Sequence, residues 1–313
     1  MTYVCKGTSL LERAEELSAT ADKLWQRVTT RNVFRCVCVT LGTVLIGCTW
    51  SVPVRLANSG DFLMLPVTAN GVATSFLLDT GATNTTVSKQ FAGRIGLWSE
   101  ARPLDAPIET ETPQPVLGAH YAVLRSFKLG PIRAKRDSGQ VLVVDLSYVS
   151  RLVREEVDGL VGNATLGSAD YVLNVRRPSL ELARTLKLSD SPQAVHLKTS
   201  GHRTYLPATI NGKSFDFLLD TGSNRSFVTS EVLHTLGDVE TDVVERGIIS
   251  LNALETKSFK RFRAKVTLGD VSVPDFALLI GDGNRIGLDL LRFGELSVSV
   301  NEGRFVFRSL DET

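Results

Sequence analysis

The sequence predicts an all-β chain built as two duplicated β lobes with short helices, and three observations carry that prediction. From Phe62 onward, short runs of Val, Leu, Ile, Phe and Thr recur about every ten residues, punctuated by Gly, Asn and Asp, which is the spacing of strands and turns. The apolar segment Phe76-Leu77-Leu78 ends in Asp79-Thr80-Gly81-Ala82, and Phe217-Leu218-Leu219 ends in Asp220-Thr221-Gly222-Ser223. The two aspartates stand 141 positions apart, and the same offset lays residues 65–71 on residues 206–212 without a gap.

Each element follows from this register. Asn70-Gly71 and Asn211-Gly212 sit between apolar runs, and such a pair predicts a two-residue hairpin turn in which both central residues take positive φ. Each copy therefore begins as a hairpin whose second strand delivers the aspartate. Beyond the motif, Thr85-Thr86-Val87-Ser88 matches Ser226-Phe227-Val228-Thr229, and helix-like segments follow at 89–95 and 231–236. Phe127-Lys128-Leu129-Gly130 then resembles Val266-Thr267-Leu268-Gly269, with the offset reduced as a shortened loop produces. Leu160-Val161-Gly162-Asn163-Ala164 corresponds to Arg285-Ile286-Gly287-Leu288-Asp289, though only one clear apolar residue precedes the second Gly. A two-copy duplication organises residues 54–313.

Composition narrows the partners. A net charge of +1 and the lack of any Lys/Arg run give no electrostatic reason to expect nucleic acid. All four cysteines, Cys5, Cys36, Cys38 and Cys48, precede residue 50, so the duplicated region folds without disulfides. His120, His196, His202 and His234 are scattered with no pair at ligand spacing, and neither a metal nor another cofactor is expected.

The N-terminal part reads differently. Residues 1–32 carry Leu10, Leu11, Ala14, Leu17, Ala21, Leu24, Trp25 and Val28 at spacings of three and four, which predicts an amphipathic segment on the cytoplasmic side. Residues 36–54 are uncharged and apolar over about the ~20 residues that cross a bilayer. With Arg31 and Arg35 just before them, a signal-anchor over 33–54 is expected, leaving an extracytoplasmic, bacterial periplasmic region beyond it. Two alternatives stand beside the anchor: a lipoprotein lipidated at Cys48 in Leu45-Ile46-Gly47-Cys48, and a cleaved secretory signal.

The doubled Asp suggests a chemistry. Hydrolysing a peptide without metal or covalent intermediate needs a base to activate water and an acid to protonate the carbonyl oxygen. Two carboxylates about 3 Å apart supply both, because their like charges prevent simultaneous ionisation and they hold one proton between them. Asp79 and Asp220 are that candidate pair, and their ionisation belongs to the pair rather than to either residue. Gly81 and Gly222 lack a Cβ and let neighbouring groups crowd the carboxylates, while Thr80 and Thr221 carry hydroxyls able to bond across the junction between copies.

On these motifs the chain resembles the retropepsin-like branch of the pepsin-type aspartic proteases, in its single-chain, two-lobed form. That resemblance covers roughly residues 58–308 and implies a bilobal acid-protease fold acting as an aspartic endopeptidase, active as a monomer on peptide or protein substrates. It implies a first lobe at 55–187, a linker at 188–203 and a second lobe at 204–313. It also implies that Gly162 and Gly287 pack beneath the dyad, and that hairpin flaps fall near 109–123 and 243–254. Where the first copy has Ala82 the second has Ser223, whose hydroxyl in this family can bond the carboxylate and favour its ionised form; the Ala implies an optimum less acidic than that of pepsins. The alternative is a catalytically silent protein of the same fold that binds extended peptides in the cell envelope.

Overall fold

Turn chemistry builds both lobes in the same way. In the computed structural model, which describes residues 45–46, 49–103, 119–134, 139–167, 169–250 and 253–310, the strands Leu63–Ala69 and Val72–Leu78 pair antiparallel with Ala69 opposite Val72. Arg203–Ile210 and Lys213–Leu219 do the same with Ile210 opposite Lys213. Both turns have the positive φ expected of the Asn-Gly pair: 48° and 82° at Asn70 and Gly71, 49° and 83° at Asn211 and Gly212. The asparagine side chains also stitch the turn to the next strand, since Asn70 Oδ1 accepts the Arg125 N–H and Asn211 Oδ1 accepts the Lys265 N–H.

The strand that carries each aspartate is held at the centre of its sheet. Val72–Leu78 runs parallel to Gly159–Val161, which pairs antiparallel with Thr86–Ser88, which runs parallel to Gln140–Val144. The second lobe repeats this order with Lys213–Leu219, Arg285–Ile286, Phe227–Val228 and Val271–Ile280. The slipped match between 127–130 and 266–269 is present in space, with Ala69 opposite Phe127 and Ile210 opposite Val266. Apolar residues of both central strands, including Phe76, Leu78, Phe217 and Leu219, are buried, and Phe76 packs edge-on against Phe91 of the helix Lys89–Arg94. The corresponding helix of the second lobe is Ser230–Leu236.

A further sheet joins the lobes. The hairpin Asp170–Asn174 and Ser179–Ala183 closes the first lobe, and the hairpin Gly294–Ser299 and Arg304–Ser309 closes the second. The two hairpins pair with each other, Tyr171 opposite Val298 and Leu173 opposite Leu296. This sheet also takes in Val195–His196 and Thr49–Val52 at its edges. Strands from both sides of residues 188–203 therefore belong to one sheet, joined edge to edge where Asp170–Asn174 pairs with Gly294–Ser299. Residues 188–203 include two short strands, Val195–His196 and Lys198–Ser200.

The apolar segment 33–54 also takes part in the fold at its C-terminal end. Thr49–Val52 pairs with Ser179–Ala183, Val52 is buried, and Leu45–Ile46 pairs with Leu186–Lys187. An apolar run can satisfy its backbone groups in a sheet as well as in a membrane helix, and hydropathy alone does not separate the two. Among the described residues no helix is long and apolar enough to cross a membrane. The amphipathic segment 1–32 and Cys48 lie outside the described residues.

Candidate active site

Two threonine side chains at the junction of the lobes make a reciprocal lock of four hydrogen bonds. The Thr80 N–H donates to Thr221 Oγ1 at 3.0 Å, and the Thr221 N–H donates to Thr80 Oγ1 at 3.0 Å. Each hydroxyl then donates across the junction, Thr80 to the Leu219 carbonyl at 2.8 Å and Thr221 to the Leu78 carbonyl at 2.9 Å. Thr80 and Thr221 are 1% and 0% exposed, so water cannot replace these partners.

The lock fixes the aspartates that precede it. The Asp79 N–H donates to the Val161 carbonyl and the Asp220 N–H to the Ile286 carbonyl, both at 3.0 Å, so each aspartate is hung from the parallel strand beside it. Asp79 Oδ1 accepts the Ala82 N–H at 3.0 Å. The glycines show how near the two loops come. A Cβ on Gly81 would stand 2.5 Å from Asp220 Oδ1, and one on Gly222 would fall on the Asp79 carboxylate. Each carboxylate is thus packed against the glycine of the opposite loop, which brings both to one pseudo-twofold junction. Asp220 is buried and Asp79 is half-buried.

The supporting residues divide by lobe. Gly162 and Gly287 pack against the chain that follows each motif, where a Cβ would strike the backbone of Asn84 or of Arg225. Their N–H groups donate to Thr85 Oγ1 at 3.2 Å and to Ser226 Oγ at 3.0 Å, so the copies use equivalent hydroxyls. Around those hydroxyls the lobes differ. Thr85 Oγ1 lies 2.7 Å from Thr165 Oγ1, whereas Ser226 donates to Asp289, whose carboxyl is pushed above the usual carboxylate range by burial. Asn163 is buried and its side-chain amide donates to Thr204 Oγ1, another tie between lobes. The Ser223 hydroxyl donates to the Arg225 carbonyl at 2.7 Å, which commits its one proton away from the Asp220 carboxylate. Ala82 donates its N–H as described and leaves its side chain chemically silent.

Sequence reading did not single out Arg285. Its strand register places it opposite Leu218, as Leu160 lies opposite Leu77, and Arg285 Nη1 comes to 3.8 Å from Asp220 Oδ2. The missing apolar residue before Gly287 was the signal that could have found it. The flaps are described in part. Thr241–Ser250 and Ala253–Leu268 form a long hairpin over the expected second flap, while most of the first, through residue 118, lies outside the described residues.

A family model described as aspartyl protease matches residues 65–165 and 206–292, one stretch in each lobe. Comparison of the chain with curated proteins finds no match.

Proposed function

This chain belongs to the aspartyl protease family, and on that premise we propose that it is an endopeptidase that hydrolyses peptide bonds with water activated between Asp79 and Asp220. The observation that carries the reading is the crossed packing of each carboxylate against the opposite glycine, locked by the reciprocal threonine bonds. Two carboxylates held so close share one proton. The ionised one takes a proton from water as the water oxygen attacks the scissile carbonyl carbon, and the protonated one gives its proton to the carbonyl oxygen. In the second step the carboxyl that took the water proton gives it to the leaving nitrogen as the C–N bond breaks, and a hydroxyl of the tetrahedral diol returns its proton to the other carboxylate as the new carboxyl group forms. An extended peptide would lie across the junction under the hairpin Thr241–Ser250 and Ala253–Leu268.

The N-terminal charge pattern further supports an extracytoplasmic setting for the two lobes. Peptide-library cleavage by wild type, Asp79→Asn and Asp220→Asn tests the function. We expect each variant to lose at least about a thousandfold in kcat/KM, in line with loss of a general acid or base. Wild-type cleavage should also be sensitive to pepstatin. A wild type that binds peptides without cutting them would instead identify a silent peptide-binding protein of this fold.

A further inference from the structure

The two halves of the site differ in the charge beside the aspartate strand. On the first lobe the strand beside the aspartate presents Leu160 opposite Leu77; on the second it presents Arg285 opposite Leu218. Arg285 Nη1 stands 3.8 Å from Asp220 Oδ2, with the Arg285 side chain 22% exposed and that of Asp220 11% exposed. Its guanidinium is held over the Phe227 ring, 5.3 Å from the centroid, and Phe227 packs edge-on against Phe259. A cation steadied by an aromatic stack and screened from water acts on its neighbour far more strongly than a solvated one.

We propose that Arg285 breaks the symmetry of the pair: it holds Asp220 as the ionised, water-activating carboxylate and leaves the shared proton on Asp79. Arg285 is then a positioning residue that acts through Asp220, and the proposal rests on the function inferred above. The other charged groups on the elements around Asp220 do not supply this bias. Asp79 on the opposite loop is the partner in the pair. Arg225, on the turn after the motif, is exposed and acts on Asp289 of the helix Leu288–Leu291. Asp216, earlier on the Asp220 strand, is ion-paired with Lys198 at 2.5 Å. A fixed positive charge favours every deprotonation of the pair, so it lowers both the acidic and the basic limb of the pH–rate profile.

The test compares pH profiles of kcat/KM for wild type, Arg285→Leu, Arg285→Gln and Arg285→Lys. Removing the charge should move both limbs upward by about one pH unit, the low end for an arginine beside an aspartate because the site is partly exposed. Lysine should keep both limbs near those of wild type. Limbs that stay in place in Leu and Gln variants that still cut overturn the proposal, since a purely structural role would lower the rate without moving them. Carbon-13 titration of the Asp79 and Asp220 carboxyls gives the same answer without turnover: Asp220 should ionise before Asp79 in wild type, and that order should collapse in the Gln variant. Equal titration of the two carboxyls in wild type overturns it. Cleavage that survives Asp79→Asn and Asp220→Asn would instead strike down the proposed function.

Discussion

Thr80 and Thr221 each give a backbone N–H to the other's hydroxyl at 3.0 Å, and each hydroxyl donates a hydrogen bond to a carbonyl of the opposite lobe. Removing one hydroxyl therefore orphans two buried backbone groups. Thr221→Val should cost about 2–4 kcal/mol, from unsatisfied groups worth roughly 1–3 kcal/mol each, whereas Thr221→Ser should cost under about 1 kcal/mol. Urea unfolding of the two variants checks this, and a Ser variant as unstable as the Val variant would show that the hydroxyl is not the dominant contribution.

Gly81 and Gly222 should tolerate no side chain. A methyl at Gly81 meets the Asp220 carboxylate and a methyl at Gly222 meets that of Asp79, so Gly81→Ala and Gly222→Ala must push the carboxylates apart. A displacement near 1 Å in a reacting pair costs on the order of a hundredfold in rate. The expected outcome is a drop of that size in kcat/KM for each variant, measured on the best library peptide, with the fold retained by circular dichroism.

Asp170 should be the most consequential carboxylate outside the site. It is fully buried and accepts hydrogen bonds from Leu186 N, Ser299 Oγ, Val300 N, Asn301 N and Asn301 Nδ2, so a first-lobe residue organises the last hairpin turn of the second. Asp170→Ala should destabilise by about 3–5 kcal/mol, because several buried donors lose a charged acceptor at once. Asp170→Asn, which keeps one carbonyl oxygen, should lose clearly less in the same unfolding experiment.

Asp289 predicts a pH dependence of stability. Burial raises its carboxyl above the ordinary 3.8, outweighing the hydrogen bonds from Ser226 and Leu290 and the charge of Arg225. Between 3.8 and the raised folded value the folded chain holds a proton that the unfolded chain has released. Stability from this residue is therefore fullest below 3.8 and falls as pH rises through the folded value. The stability of Asp289→Asn relative to wild type should improve from pH 4 to pH 8, read from unfolding midpoints on that range. A constant difference would assign the pH dependence elsewhere.

Much of this arrangement is legible in the sequence, because it is written in local chemistry. Asn70-Gly71 and Asn211-Gly212 specify tight hairpins through backbone conformation, and the apolar strands they release end at Asp79 and Asp220 whatever surrounds them. The repeat also carries the pairing of Thr80 with Thr221, since duplicated strands meeting about a twofold axis bring equal positions together. Three features depend on the tertiary structure. The shared sheet pairs Tyr171 with Val298, residues whose local sequences say only that each is a strand. Thr49–Val52 lies in that sheet, although its hydropathy suits a membrane equally well. Arg285 becomes a neighbour of Asp220 only through the parallel register with Leu218. Local sequence sets backbone conformation and polarity, which need only near neighbours; which charges and apolar faces meet is set by long-range register, and that exists only once the lobes have folded onto each other.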